Sequence, residues 1–300
     1  MSRAPVFMLL LAAAACTDKA EDGNTDDSNT VETSVFDEII TVDQTAVGDL
    51  ACWTAGADPL SQTPDPSCQV MVDFVGEIED FESGDEVGDA TLELFFSDAY
   101  SEGGADFTTV SDTSGAVSGQ AMTCTPTTYK TSTDPDLDLT RDTFEAHQVW
   151  GFEASIDDTF NSVSSTTYQV IPSLLGVSIK DGMGIVAGTA YDCNGDPLQN
   201  VQVIARDATG AYPEDQRIHY FRDEFPNREQ PYTSEDGLWV AINLPPGAVT
   251  IEMYAWNGTT HELIGTTDLT IFGDSINIAN IAYGYWGGVF YPDSCLSPCQ

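Results

Sequence analysis

Positive charge is scarce in this sequence. Its 300 residues include 9 Lys and Arg against 49 Asp and Glu, which gives a formal net charge of −40 at pH 7. A surface of that sign repels phosphate backbones, so we expect no nucleic-acid partner. It also repels anionic lipid headgroups, so contact with a membrane requires a covalent anchor rather than a basic patch.

The sequence also lacks the signatures of catalysis and of zinc binding. It contains no nucleophile elbow, no HExxH motif and no phosphate-binding glycine loop. His147, His219 and His261 are isolated, and no two cysteines have CxxC spacing. We therefore predict no enzymatic activity and no cofactor. The alternative is an enzyme with an unrecognised pair of carboxylates, because spacing in sequence does not reveal which acidic side chains meet in space.

Long apolar runs are missing as well, and the one short run lies at the N-terminus. Residues 1–15 combine Arg3 with an apolar stretch too short to span a bilayer, which is typical of a signal peptide. The alanines that follow lead directly into Cys16, and this segment resembles the lipobox of bacterial lipoproteins. It departs from that pattern at Ala13, where leucine is commonest. An ordinary secretory signal, cleaved at the alanine run, is the alternative.

The lipobox resemblance implies cleavage before Cys16 and attachment of lipid, such as palmitate, at that residue. Residues 16–34 are acidic, polar and poor in large apolar groups, so they predict a disordered tether between membrane and first domain. Thr17 follows the cysteine where Asp would direct retention in the inner membrane, by similarity to enterobacterial sorting. We therefore expect an exported protein, lipid-anchored to the bacterial outer membrane or cell surface.

The cysteine count supports this interpretation. Seven cysteines are present, and an odd number in an exported protein needs an explanation. If Cys16 carries lipid, six remain, an even number that suits disulfides in an oxidising compartment. The sequence alone does not distinguish the possible pairings. We favour mostly local pairs: Cys52 with Cys68, Cys295 with Cys299, and by remainder Cys124 with Cys193.

From residue 35 onward the pattern is all-β. Short runs rich in Val, Ile, Thr and aromatic residues alternate with Gly, Asp, Asn and Pro turns, and residues 201–205 and 250–254 have the period of two of a half-buried strand. Residues 164–176 are the exception. Serines could cap a helix there, Gly176 could end it, and Pro172 would break a longer one. We predict one or two helical turns in a linker.

The second half carries a spaced motif. It contains glycine, aspartate, proline and apolar residues in a fixed order, at Gly188, Asp192, Gly195, Pro197, Leu198, Asn200, Val201, Val203, Thr233, Asp236, Gly237, Leu244, Pro245 and Gly247. This order resembles the carboxypeptidase regulatory-like domain, a transthyretin-like (prealbumin-like) β-sandwich. The resemblance covers residues 183–284. It implies about seven strands in two sheets and no catalytic residues.

The first half echoes this motif. Gly76 and Asp80 have the spacing of Gly188 and Asp192, residues 87–92 parallel residues 198–203, and Thr109 loosely parallels Thr233. A repeat of about one sandwich in size predicts tandem Ig-like or prealbumin-like domains. We therefore predict an N-terminal sandwich at 35–155, a linker with a short helix at 156–182, the second sandwich at 183–284, and an aromatic, Cys-containing tail at 285–300.

Two sets of side chains are candidates for binding. Asp134, Asp136 and Asp138 are closely spaced carboxylates that could ligate a structural Ca²⁺, although EF-hand spacing fails and solvated loop charge is the simpler interpretation. Trp256, Tyr285 and Trp286 could stack on a glycan. The function we predict is a non-catalytic cell-envelope lipoprotein that displays β-sandwich interaction modules, with an envelope protein as partner. A carbohydrate-binding surface lipoprotein is the alternative.

Overall fold

A computed structural model describes residues 39–97, 104–287 and 289–299. Their regular secondary structure is mostly β-strand, so the predicted all-β fold class is confirmed. The predicted signal peptide, Cys16 and the acidic tether lie outside the described residues. In chain order the strands are β1 (Met71–Asp80), β2 (Thr91–Phe95), β3 (Phe107–Val110), β4 (Ala116–Met122), β5 (Thr127–Ser132), β6 (Thr140–Arg141), β7 (Thr143–Gln148), β8 (Ser155–Ser164), β9 (Gly184–Tyr191), β10 (Val201–Asp207), β11 (Arg217–Arg222), β12 (Phe225–Asn227), β13 (Leu238–Leu244), β14 (Gly247–Trp256), β15 (His261–Ile271), β16 (Ile276–Ile278) and β17 (Ile281–Ala282). The α-helix α1 (Ser165–Leu175) joins the halves, and short 3-10 helices occupy Pro66–Cys68 and Asp293–Cys295.

The first sandwich is built from β1 to β8. One sheet has the order β4-β1-β8-β6, and the other has the order β3-β2-β5-β7. β1 and β8 are parallel to each other, and alternate side chains on both point inward, among them Phe74, Ile78 and Phe160. They meet Leu92 and Leu94 of β2 in one core. Fully burying each such side chain contributes about 1.5–3 kcal/mol, so this period of two holds the sheets face to face.

The second sandwich repeats the plan with β9 to β17. Its first sheet has the order β12-β11-β13-β9-β16, with β17 also paired to β9, and its second has the order β10-β14-β15. The core between the sheets contains Trp239, Val203 and Ile251, each at most 1% exposed. Here too the first strand, β9, pairs in parallel with a strand near the end of the unit, β16.

The predicted echo between the halves is confirmed in the turns that follow β1 and β9. Residues 87–92 and 198–203 occupy equivalent positions, and Asp89 and Asn200 both adopt a left-handed backbone, with φ of 56° and 61°. The hydrogen bonds match in kind: Val87 N to Ile78 O and Leu198 N to Ala190 O, Ile78 N to Gly115 O and Ala190 N to Gly237 O, Ala90 N to Ser111 Oγ and Val201 N to Thr233 Oγ1. The equivalent of Thr233 is therefore Ser111, and the predicted match with Thr109 was wrong by two residues.

The two sandwiches are joined edge to edge. β7, at the edge of the first sandwich, pairs in parallel with β16 of the second, so one ten-stranded sheet runs through both. The prediction of separate sandwiches connected by a linker over 156–182 was wrong in this respect. Residues 155–164 form β8 inside the first sandwich, because β8 supplies the parallel partner that β1 requires.

The helix α1 is longer than predicted. It spans 11 residues and begins after Ser164, whose hydroxyl accepts the Thr167 amide, and it ends at Gly176 with φ of 75°. Both caps were predicted. Pro172 lies in the last turn, where it interrupts little of the hydrogen-bond ladder. Tyr168 and Leu175 bury against the outer face of β9 and β13, so α1 is a covering layer of the second sandwich and not a free linker.

Candidate functional site

The segment before β1 packs on the far sandwich. We call residues 39–68 the N-terminal strap. The Gln202 side chain of β10 accepts the amides of Thr41 and Val42 at 2.8 and 3.1 Å and donates to the carbonyl of Ile39. Val47 pairs with Gln199 through two backbone hydrogen bonds. The predicted N-terminal boundary at residue 35 is therefore corrected, because residues 39–60 pack on the second sandwich and the first begins near β1.

The strap is held by burial as well as by hydrogen bonds. Ile40 and Val42 are 1% and 0% exposed and pack with Ile204, Tyr232 and Tyr254. Burial of two such aliphatic side chains contributes about 1.5–3 kcal/mol each, which is an upper estimate because unfolded chains already bury some apolar surface. The strap therefore covers the outer face of β10 and β14, where the side chains of Gln202, Ile204 and Tyr254 lie.

The tail covers the β15 edge of the sheet β10-β14-β15. We call residues 283–299, apart from residue 288, the C-terminal tail. Thr266 of β15 exchanges backbone hydrogen bonds with Tyr285 and Gly287. The tail also meets the strap, because the Leu60 amide donates to the Gly284 carbonyl at 2.9 Å, and the ring of Trp53 lies 4.8 Å from that of Trp286. Trp53 is 7% exposed in the core and was not among the predicted site residues.

Three disulfides fix the strap and the tail, and they are not the predicted pairs. The observed bonds are Cys52–Cys193, Cys68–Cys299 and Cys124–Cys295, with Cα–Cα distances of 5.6, 5.6 and 5.2 Å. The predicted pairs Cys52–Cys68, Cys295–Cys299 and Cys124–Cys193 were wrong. The physical reason is that the strap is extended, so it carries Cys52 to the second sandwich and Cys68 to the first, and such bonds need Cα atoms about 5–6 Å apart.

Two of the disulfides form a small core of their own. Cys68, Cys124 and Cys295 are fully buried, with Phe152 and Tyr291 packed beside them. Within the described ranges, Asp65, Cys68 and Cys299 are the set of potential metal ligands whose atoms approach within 4.8 Å of one another. Because the two cysteines are bonded to each other, they are not thiolate ligands, and the cluster is structural.

The Ca²⁺ candidates are directed to different partners. Asp134 accepts the Asp136 amide at 3.0 Å, in a local turn. Asp138 accepts from Ser165 Oγ at 2.9 Å and lies 3.4 Å from Arg141. The three carboxylates therefore do not converge on one point in this loop.

The glycan-stacking candidates occupy three different environments. Trp256 lies beside His261, with ring centroids 5.0 Å apart, and packs on the cluster that holds the strap. Trp286 packs inward on Trp53, whereas Tyr285 makes an edge contact of 5.7 Å with Phe290. Phe290 is 51% exposed and was not among the predicted residues. The structure thus does not assemble the three predicted rings into one platform.

Basic side chains of the second sandwich bind its own backbone. Arg228 donates to the carbonyls of Ser173 and Leu174 at the end of α1, and Arg217 Nη1 donates to Gln216 O at 2.7 Å. Burial, followed by the charges of Arg228 and Arg217, lowers the pKa of His219. These arginines therefore close a helix and a loop within a strongly acidic molecule.

A buried polar group closes the first sandwich between β5, β7 and β8. The Glu145 carboxylate accepts from Tyr129 Oη and, at 3.0 Å, from Asn161 Nδ2, while Tyr129 Oη accepts the Asn161 amide at 2.9 Å. Burial raises the pKa of Glu145, against the two hydrogen bonds that lower it. Burial and then the neighbouring carboxylate raise the pKa of Tyr129 well above its usual range. The Glu145 carboxylate can take up a proton, but its hydrogen-bond partners, Tyr129 and Asn161, are part of the same fold, so this group has a structural role.

The junction between the sandwiches is closed by direct contacts. Phe144 of β7 stacks on Phe272 with centroids 4.0 Å apart, and His147 Nε2 donates to the Asp268 carbonyl at 2.7 Å. Together with the β7–β16 ladder, these contacts make the junction a packed interface. None of the helices in the described ranges has both the length and the apolar character that crossing a bilayer requires.

Comparison with known proteins gives no family. No family model matches the chain, and no curated protein matches it. Solved structures resemble it at low scores. The shaft pilin SpaA from Lactobacillus rhamnosus GG has a TM-score of 0.23 and 8% identity, over 74% of this chain and 100% of that one. The minor pilin of Streptococcus agalactiae has 0.23 and 10%, over 74% and 99%. The Bacillus anthracis TIE protein has 0.24 and 14%, over 71% of this chain but 34% of that one.

Proposed function

We propose that this protein is a non-catalytic cell-envelope lipoprotein that presents two rigidly joined β-sandwiches outside the cytoplasm. The observation that carries the proposal is the pairing of all six cysteines after Cys16. Disulfides of this kind form and persist in oxidising compartments, which supports export. The six later cysteines pair with one another, so the proposed lipidation of Cys16 does not compete with these disulfides.

The anchor is tested by mass spectrometry of the mature protein isolated from its own cells. We expect a chain that begins at Cys16 and carries the added mass of acyl groups. Cys16→Ser should release the protein from the membrane fraction. A mature chain that starts near the same site without acyl groups would mean an ordinary secretory signal and would end the lipoprotein part of the proposal.

The second sandwich is proposed to be a carboxypeptidase regulatory-like domain. The motif residues do the work that the pattern implies: the Asp192 carboxylate accepts the amides of Asp49, Asn194 and Asp196, and Thr233 Oγ1 accepts the Val201 amide. Such residues stabilise turns, which is the structural role that the resemblance implies for them.

The proposed partner is a protein of the cell envelope. Crosslinking in intact cells, followed by capture of this chain, should yield the same partner from the native protein and from a variant with an unrelated lipoprotein signal. The Cys16→Ser variant is the matched control, because it keeps the sandwiches and loses the anchor. Loss of the partner from the variant with the unrelated lipoprotein signal would mean that the leader, and not the sandwiches, directs the association.

A carbohydrate partner is the second candidate, and it is favoured by one observation. Phe290 is half exposed and meets Tyr285, so an aromatic face is open on the tail. Binding to a glycan array that is lost in Tyr285→Ala and in Phe290→Ala would support this candidate. Trp256→Ala is the control, because that ring packs on the strap cluster.

A further inference from the structure

The order of the disulfides along the chain determines the covalent route by which the molecule transmits tension. Cys68 precedes β1, and Cys299 follows β17, so the bond between them spans 231 residues that contain both sandwiches. A tension applied between the strap and Gln300 has a covalent route from Cys68 directly to Cys299. Neither sandwich lies on that route.

The strap adds a second covalent branch. Cys52 of the strap is bonded to Cys193 in the turn between β9 and β10, a separation of 141 residues. A pull from the strap to the second sandwich therefore passes through Cys52–Cys193 and not through the first sandwich. Without the disulfides, the covalent route from the strap to the second sandwich would run along the whole chain of the first sandwich.

The third disulfide has a different place in this network. Cys124, in the turn between β4 and β5, is bonded to Cys295 of the tail. This bond lies inside the loop closed by Cys68–Cys299. It becomes part of the shortest covalent route only when Cys68–Cys299 is absent. Two branches of nearly equal length then lead from Cys52 to Cys124: the chain through residues 53–124, and the bond to Cys193 followed by residues 193 back to 124.

We propose that the disulfides give this protein a covalent route that carries tension from its N-terminal side to its C-terminal end and bypasses both folded sandwiches. Both sandwiches then stay folded while tension acts between the strap and the residue that follows Cys299. The inference rests on the proposed surface anchoring for the direction of the pull. The covalent route itself is independent of the anchor.

The test is single-molecule force spectroscopy on the full chain carrying Cys16→Ser, held at its two ends under oxidising conditions. We expect release of the strap up to Cys68, a gain in contour length of at most roughly 100 Å for residues 39–68, and no further unfolding step. Complete loss of the disulfides should add roughly 780 Å for residues 69–298.

Two double variants separate the bonds. Cys68→Ser/Cys299→Ser should add a gain of roughly 190 Å, because two branches of nearly equal length, residues 53–124 and residues 124–193, must now extend before the load reaches Cys124–Cys295. Cys124→Ser/Cys295→Ser is the matched control and should behave as the parent chain. Steps longer than the strap in the oxidised parent, or equal gains in the two double variants, would overturn the proposal.

A second measurement needs no cysteine change, in case a double variant does not fold. The C-terminal attachment is moved to an unnatural side chain at Thr259, in the exposed turn between β14 and β15, so that the shortest covalent route passes through Cys68–Cys299 and back along the chain. Residues 260–298 then lie on the shortest route, so an unfolding event of roughly 130 Å is expected in the same oxidised protein. An event-free trace there would overturn the proposed route. Because this readout does not involve lipid, it is distinct from failure of the Cys16 test.

Discussion

Gly76 and Gly188 occupy the same place in the two sandwiches, each facing the backbone of the parallel strand beside it. A Cβ at Gly76 would lie 2.4 Å from the Asp158 carbonyl oxygen, and one at Gly188 would lie 1.9 Å from the Ala279 carbonyl oxygen. Both distances are far below van der Waals contact. The first glycine of the repeated motif is therefore required for the close approach of the first strand to its parallel partner.

Gly188→Ala is expected to destabilise the protein strongly. The added methyl group meets backbone, which cannot move aside as a flexible side chain can, so we expect a cost of about 3 kcal/mol or more in the free energy of unfolding. Gly76→Ala should act in the same direction on the first sandwich. Urea denaturation with the disulfides intact measures both.

Gly195→Ala is the matched control for these substitutions. Gly195 has φ of 79°, but nothing lies within 4 Å of its would-be Cβ. Its cost should be about 1 kcal/mol, from the left-handed backbone alone. Equal costs for Gly188→Ala and Gly195→Ala would contradict the close-approach explanation.

Features set by local chemistry could be predicted from the sequence. The period of two in residues 201–205 identified β10, and Ser164 and Gly176 identified both ends of α1. The match of residues 87–92 with 198–203 was visible because both turns need one residue in the left-handed region, Asp89 or Asn200. Such signals depend on neighbours in the chain, which a sequence displays directly.

Features set by distant backbone could not be predicted. The β7–β16 ladder is made of main-chain hydrogen bonds, which any sequence of suitable residues can form. The disulfide pairs followed from the path of the strap, and the signal for that path was weak: the alternating Ile40 and Val42, which bury on the second sandwich. The glycan candidates failed to converge because neighbouring residues of an extended tail, Tyr285 and Trp286, point to opposite sides.

Glu145→Gln is expected to stabilise the protein at pH 7. Burial raises the pKa of Glu145 in the folded state, so the folded protein holds this proton more tightly than the unfolded chain does. The contribution of Glu145 is then most favourable below its unfolded pKa near 4.5 and is lost as pH rises through the higher folded pKa. Glutamine keeps an oxygen for Tyr129 and Asn161 without the charge.

The pH dependence distinguishes this explanation from a change in packing. The gain from Glu145→Gln, measured by urea denaturation, should be largest at pH 7 and should shrink toward pH 4. Glu153→Gln, at an exposed position, controls for the loss of one negative charge. A gain in Glu145→Gln that does not vary with pH would rule out the titration of this carboxyl as its cause.

Salt is expected to stabilise the protein through general screening. With a formal net charge of −40, self-repulsion destabilises the compact state, and added ions weaken it. The Tm should rise by several degrees between low salt and 0.5 M NaCl. MgCl2 and CaCl2 at the same concentration should raise the Tm by equal amounts. The variant Asp134→Asn/Asp136→Asn/Asp138→Asn should keep this response. A larger effect of CaCl2 that the triple variant loses would instead identify a Ca²⁺ site in this loop.

Arg228→Ala is expected to loosen α1 without unfolding the sandwiches. The guanidinium donates to the carbonyls of Ser173 and Leu174 at the C-terminal end of α1, and its positive charge interacts favourably with the negative end of the helix dipole. Because Arg228 is exposed, the loss should be modest, about 1 kcal/mol. Hydrogen exchange of the last turn of α1 should become faster, while exchange in β1 stays unchanged.

Arg228→Lys keeps the charge but not the two-pronged geometry, so its exchange rate should lie between those of the parent and Arg228→Ala. If Arg228→Lys matched the parent, charge alone would account for the effect, and the two hydrogen bonds would contribute nothing measurable.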